Sequence, residues 1–369
     1  MNRFADALRQ LETGNRRRFL RPAGGADFSS NDYLGFASHP ALRRTMLEWA
    51  ESGGVIGSGG SRLLRGNHPA HEELEHFAAQ FFGAEKALYF ATGFHANHAL
   101  FATLPERRDV VVHDSLIHAS AREGIRASSV PAVKFRHNDL NDCEDALRSA
   151  REKADCLWLA VESVYSMEGD IAPLPDFHDL CLRYDAWLIV DEAHATGIFG
   201  ANGRGVSEGL PSARRITLHT GGKALGVAGG LVTAPAEIVD YLVNKARPFI
   251  YSTAPLPVQA ALLHRALKLV DEEPERRKRL LALRDHANTV LPVPPSATQI
   301  IPVILGDDES ALKVAAALQE SGFDVRAIRP PTVPEGTARL RLSLNTGLDE
   351  KILDALAERL TTLLERQAA

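Results

Sequence analysis

Short apolar runs recur along the chain, each followed by a polar or glycine-containing turn. "KALYFA" (86–91), "DVVVH" (109–113), "CLWLAVE" (156–162), "AWLIVDE" (186–192), "RITLHT" (215–220) and "GGLVTA" (229–234) are apolar at successive positions. That is the pattern of strands covered on both faces of a sheet. Between several of them lie stretches such as "LPDFHDLCLRY" (174–184), whose apolar residues fall three and four apart as on a half-buried helix. Such alternation from about 40 to 285 predicts an α/β fold with a mainly parallel, doubly wound sheet between helices. After about residue 290 the pattern changes. "QIIPVIL", "FDVRAIR" and "ARLRLSLN" predict strands, and "DESALKVAAALQESG" predicts a helix. A closing helix over 349–366 keeps Leu353, Leu356, Leu360 and Leu364 on one face. Residues 3–20 predict a polar helix ending in Arg16, Arg17 and Arg18. The expected division is an N-terminal helix and arm (1–40), a large domain (41–285) and a smaller C-terminal α/β domain (286–369).

Composition narrows the function classes. Of 369 residues 45% are hydrophobic and 24% charged, an ordinary globular balance. A formal net charge of −5 gives no general reason to bind nucleic acid or an anionic membrane. No run of 18 apolar residues occurs, and the N-terminus lacks a signal-type apolar segment. Cys143, Cys156 and Cys181 are odd in number and lack CxxC spacing, so a reducing cytoplasm is expected, with neither a disulfide framework nor a metal site. Glycine-rich stretches invite nucleotide readings, but each lacks a required residue. "GSGGSR" (57–62) has Arg62 where GxGxxG needs glycine. Lys223 follows Gly222 as in a P-loop, yet Thr217 and Ala224 stand where that motif needs Gly and Ser or Thr. "HEELEH" (71–76) is one residue too long for HExxH.

In open α/β sheets ligands bind beyond the carboxyl ends of the strands, so the residues just past each strand are the candidates for chemistry. Asp191-Glu192-Ala193-His194 lies past one strand, Thr220-Gly221-Gly222-Lys223 past another, and Glu162-Ser163-Val164-Tyr165-Ser166 past a third. Asp114-Ser115-Leu116-Ile117-His118 and Thr92-Gly93-Phe94-His95-Ala96-Asn97 complete the set. Taken singly, Asp191 caps a turn, His118 and His194 are hydrogen-bonded structural histidines, Thr92-Gly93 is a turn, and Lys223 snorkels to solvent. Together they suit one chemistry. Lys223 is the one charged residue between Ile216 and Ala236, and a desolvated amine has a depressed pKa. A neutral amine can form a Schiff base with an aldehyde such as pyridoxal phosphate. A strand-end carboxylate can pair with the pyridinium nitrogen, and a glycine turn opening a helix suits the phosphate.

"DEAHATG" and, 32 residues after its Asp, the lysine of "TGGKALG" resemble the α-oxoamine synthases, fold-type I pyridoxal-phosphate-dependent transferases. The resemblance extends through "FSSNDYLGF", "GSGGSRLLRGN", "TGFHANHA", "HAS", "ESVYSMEGDIAPL", "PFIYSTAPLP" and "AIRPPTVPEGTARLRLSL", and is nearest to the members of biotin biosynthesis. It implies Lys223 as the cofactor-bonding lysine and base, Asp191 as pyridinium partner, and His194 at the phenolic oxygen. It further implies His118 stacked on the ring beside the substrate, Ser166 at the ring's polar edge, and Gly93, Phe94 and Thr220 at the phosphate. Thr253 would reach a neighbouring subunit's phosphate, which implies a homodimer with shared active sites. Asn31 and Arg341 would hold the amino-acid carboxylate, and Arg16, Arg329 and Thr332 the acyl substrate. The implied reaction joins L-alanine to a pimeloyl thioester of coenzyme A or acyl carrier protein. Sister enzymes that use glycine or serine share the lysine, the aspartate and the chemistry, and stay open at this point, as does a catalytically silent scaffold. Gly221 and Gly222 stand where relatives often carry a bulkier residue, so a looser loop before Lys223 is expected.

Overall fold

The computed structural model describes residues 2–368. The chain divides into two compact units, one of Leu34–Tyr165 with Ile171–Arg277, the other of the segment up to Tyr33, Ser166–Asp170 and the chain from Lys278 onward.

The larger unit holds a seven-stranded sheet in the order Lys86–Phe90, Gly230–Ala234, Arg215–Thr220, Ala186–Asp191, Leu157–Glu162, Val110–Asp114, Ala132–Phe135. Gly230–Ala234 is antiparallel to both neighbours, and the remaining adjacent pairs are parallel. Six strands therefore run one way and end along one edge. Every residue of Leu157–Glu162 and Arg215–Thr220 is buried, as the unbroken apolar runs require. Leu159, Leu188 and Ile216 are wholly enclosed, each contributing about 1.5–3 kcal/mol of burial. The helix Leu174–Arg183 turns Leu174, Phe177, Leu180 and Cys181 inward. Cys143, Cys156 and Cys181 are free thiols, two of them buried and Cys156 half-buried.

In the smaller unit Ala338–Ser343 lies between Ile300–Gly306 and Ala327–Ile328, antiparallel to both. "FDVRAIR" breaks into two short strands rather than forming one: Phe323–Asp324 pairs instead with Ala26–Asp27. That pairing carries the N-terminal arm into the same unit as the C-terminal segment, where Phe28 meets Phe323 edge-on at 6.2 Å. In the closing helix Glu350–Ala368, Leu353, Leu356 and Leu360 are fully buried and Leu364 half-buried. The N-terminal helix stops at Thr13, short of residue 20. Gly14 caps it and Asn15 takes φ +56°, a left-handed step that ends the helix before Arg16. Among the described residues no helix is long and apolar enough to cross a membrane.

One buried titratable group has a clear thermodynamic signature. His219 is 1% exposed, bonded through Nδ1 to Thr196 at 2.8 Å and through Nε2 to Thr217 at 2.9 Å. Burial, then the positive charge of Arg215, push its pKa well below 6.5. The unfolded chain takes up that proton as pH falls through about 6.5 while the folded chain does not, so acid favours unfolding. Between pH 7 and pH 5 the wild type should lose about 2 kcal/mol more than His219→Gln, read from urea midpoints. Equal losses would remove His219 as the cause.

Candidate active site

The strand Ala186–Asp191 delivers Asp191 to the edge, and the chain turns at once, with Ala193 N–H donating to Asp191 Oδ1 at 3.0 Å. Glu192 anchors that turn from inside. It is fully buried and accepts from the Ser163 hydroxyl at 2.6 Å, Ser207 N–H at 2.7 Å and Val206 N–H at 3.0 Å. Burial pushes its pKa up, and those donors oppose the rise. Two residues on, the buried His194 places Nε2 2.7 Å from Nζ of the half-buried Lys223.

Lys223 sits in a loop closed by backbone hydrogen bonds. Gly221 N–H donates to Gly229 O, Val227 N–H to Gly221 O, and Gly226 N–H to Lys223 O, at 2.8–2.9 Å. Gly221 is thus tied through both its N–H and its carbonyl. Gly226 has φ +65°, and a Cβ there would lie 2.2 Å from Ala37 N, so glycine is obligatory.

His118 caps the helix Ala119–Ser128, its Nδ1 lying 2.7 Å from Ser120 Oγ. Asn97 Nδ2 donates to that same Ser120 oxygen at 3.0 Å and to Asp191 Oδ2 at 2.7 Å. Burial, above all, lowers the His118 pKa; the Asp191 charge opposes this, and Lys223 and Arg122 reinforce it. The helix Gly93–Thr103 opens after the strand Lys86–Phe90, with Thr92 Oγ1 accepting from His95 N–H at 3.1 Å. Gly93 and Phe94 carry first-turn N–H groups without intrahelical acceptors, at the positive helix end. Thr220 closes against that turn, since a Cβ on Gly93 would lie 3.2 Å from its Oγ1. Thr253 is exposed, and Ala254 N–H next to it donates to Gly60 O at 2.9 Å.

These residues fit pyridoxal phosphate by the chemistry of their donor set. Lys223 offers an amine, Asp191 a carboxylate already oriented by a donor on each oxygen, His118 a flat ring, and Gly93, Phe94 and Thr220 a phosphate cradle. Among the described residues no group of three His, Cys, Asp or Glu is placed to hold a metal.

The other expected residues lie in the smaller unit. Arg341 is 7% exposed and donates to Ser166 O at 2.5 Å, the Ser343 hydroxyl at 2.7 Å and Tyr33 Oη at 3.0 Å. Tyr33 in turn donates to Asn31 Oδ1 at 3.0 Å. Among the described residues no carboxylate meets Arg341, whereas Arg339, two positions earlier on the strand, pairs with Glu168 at 3.1 Å. Arg16 bonds Asp308 at 2.9 Å and Glu335 at 2.5 Å, so its charge is already answered. Arg18 donates to the Thr332 hydroxyl at 3.0 Å, and Arg329 to Asn15 O. Ser166 thus stands with Arg341 through its carbonyl.

Sequence reasoning gave no role to Asn97, Ser120, Glu192 or Tyr33, although Asn97 and Glu192 lie in the strand-end stretches it singled out. Asn97 carried a usable signal, since it lies one helical turn from Gly93.

Residues 24–360 match the model of the family "Aminotransferase class I and II". The 8-amino-7-oxononanoate synthase of Chromobacterium violaceum is 46% identical over 337 residues, covering 90% of this chain and 87% of that one. That of Bordetella petrii is 41% identical over 383 residues, covering 97% and 96%. The chain belongs to the aminotransferase class I and II family, among its 8-amino-7-oxononanoate synthases. A family structure, serine palmitoyltransferase from S. paucimobilis solved with a PLP–myriocin aldimine, superposes with a TM-score of 0.89 at 26% identity, covering 98% of this chain and 96% of that one. The 8-amino-7-oxononanoate synthase of Francisella tularensis does so at 0.79 and 26% identity, covering 94% and 99%. The fold is thus fold-type I.

A Cβ on Gly230 would lie 2.6 Å from Thr92 O and 2.9 Å from Gly93 Cα. Gly230→Ala should displace that turn and weaken pyridoxal-phosphate binding about tenfold or more, measured by fluorescence titration. Unchanged affinity would remove the turn from the cofactor site.

Proposed function

We propose that the chain joins L-alanine to a pimeloyl thioester, giving 8-amino-7-oxononanoate, carbon dioxide and the free carrier in biotin biosynthesis, with pyridoxal phosphate as cofactor. The observation that carries this is the Lys223 amine held 2.7 Å from His194 in the loop after the strand beside Asp191's own. The relatives named 8-amino-7-oxononanoate synthase favour this reading over a glycine- or serine-using sister. When bound, pyridoxal phosphate supplies an aldehyde carbon for an amine and a ring that takes up the electron pair left at the substrate Cα.

The chain's own residues do the rest. Asp191 would face the ring nitrogen, with Asn97 and Ala193 donors fixing its two oxygens. Lys223, once its amine is released by alanine, removes the Cα proton as general base and later returns one. His194, within hydrogen-bond reach of that amine, orients it. Arg341 takes the alanine carboxylate with Asn31 nearby through Tyr33. A buried guanidinium facing only neutral oxygens is costly, and an arriving carboxylate removes that cost. Arg329 and Thr332 serve the acyl chain, and Arg16 joins them by exchanging Glu335 or Asp308 for a carboxylate at the chain's far end.

We further assign a homodimer in which Thr253 completes a neighbour's site. Exposed apolar residues of the larger unit support it, among them Ile56, Leu63, Leu64 and Tyr251. Three unpaired cysteines suit a cytoplasmic setting.

The test is thiol release by the pyridoxal-phosphate-loaded protein, with pimeloyl-coenzyme A and alanine beside acetyl-coenzyme A and glycine. Release with the first pair alone is expected, and release with the second alone overturns the substrate assignment. Lys223→Ala should lower kcat by about 10³-fold or more. Arg341→Ala should raise KM for alanine roughly 10- to 100-fold, as loss of a charge-assisted hydrogen bond predicts.

A further inference from the structure

The contacts around His118 have only one consistent set of proton positions. Ser120 N–H lies 3.3 Å from His118 Nδ1, and a backbone N–H can only donate. Nδ1 is therefore an acceptor and carries no proton. The Ser120 hydroxyl lies 2.7 Å from the same nitrogen and must also donate to it. Asn97 Nδ2 donates to Ser120 Oγ at 3.0 Å, occupying one of that oxygen's two lone pairs while its O–H points to His118. The orientation of Asn97 is set in turn by Asp191, because a carboxylate at 2.7 Å accepts and cannot face the amide oxygen. The opposite amide flip would set Asn97 Oδ1 against Asp191 and leave Ser120 without its donor. Asn97 keeps its orientation although Oδ1 is buried without a protein partner. Asn97 and Ser120 are 2% and 0% exposed, so water does not compete for these bonds.

We propose that Asn97 and Ser120 are positioning residues that hold the His118 imidazole in its Nε2–H form and tie that form to the carboxylate of Asp191. Polarity runs in one direction, from the amide of Asn97, anchored on Asp191, through the Ser120 hydroxyl to His118 Nδ1. The inference rests on the proposed function only for its catalytic meaning. There, a neutral ring avoids stacking one cation on a second, the protonated cofactor ring, and Nε2–H is left as a donor toward the substrate. A proton on Nδ1 would require the Ser120 hydroxyl to turn around and would cost the backbone bond. Burial lowers the ring's pKa, the Asp191 charge opposes this and the Lys223 and Arg122 charges reinforce it, so the doubly protonated ring is disfavoured.

The test is nitrogen NMR of the full chain labelled at histidine, with and without pyridoxal phosphate, His118 being assigned by the signal missing in His118→Gln. The wild type should show a single neutral form protonated at Nε2 at pH 7.5. Ser120→Ala keeps the longer backbone donor but loses the shorter hydroxyl one, so it should admit a measurable share of the Nδ1–H form beside Nε2–H, with a rise in the ring's pKa and a roughly tenfold fall in kcat, leaving KM for the acyl donor unchanged. Ser120→Thr, which keeps the hydroxyl, should restore the single form. Nδ1–H in the wild type overturns the proposal, as does Ser120→Ala with a wild-type His118 signal. The spectra require no turnover, so an error in the substrate assignment fails the thiol assay and leaves this result standing.

Discussion

The site depends on strand register. Glu162 pairs with Asp191 and Asp191 with Leu218 across three adjacent parallel strands, so two carboxylates emerge level with each other and the third strand ends two residues beyond them, at Thr220. These strands are enclosed on both faces, and a slip of one residue would draw Asp191 toward the apolar interior. The cost of burying that charge and the gain from burying Leu188 and Val190 therefore specify the same alignment. The turns beyond the strands can then be irregular, since their starting points do not move.

The segments beyond the strands are held by buried polar groups rather than by packing alone. Glu192 gathers two backbone N–H groups and a hydroxyl around one carboxylate, fixing the path of the chain after Asp191. The Lys223 loop reaches the same end with backbone bonds and a left-handed glycine. Removing one partner from such a network leaves another buried and unpaired, so these loops tolerate little change.

Six of the seven strands of the large sheet were legible as apolar runs; the edge strand Ala132–Phe135 was not, since only Phe135 in it is buried. Lys223, Asp191, His118 and Gly93 stood out as candidates because each lies at a strand end or within four residues of one. Asn97 and Ser120 drew no role, since an amide inside one helix and a serine in the first turn of another look like ordinary packing and capping residues, although Asn97 lies one helical turn from Gly93. The N-terminal helix is shorter than its composition predicts because Arg16, Arg17 and Arg18 continue a helical pattern; only the left-handed step at Asn15 ends it. Domain limits drawn along the sequence miss that Ala26–Asp27 pairs with Phe323–Asp324, a contact between residues almost 300 apart. Backbone pairing of two-residue strands leaves no periodicity to read.

The buried thiols bear on how such a protein behaves toward electrophiles. Burial pushes Cys143 up to about 12 and Cys156 up to about 11, with Cys181 higher still. Since the thiolate is the nucleophile, these raised values keep the three thiols in the less reactive protonated form at pH 7. The folded chain is thus nearly silent toward disulfide and maleimide reagents, and a free carrier thiol can be titrated in its presence against little background.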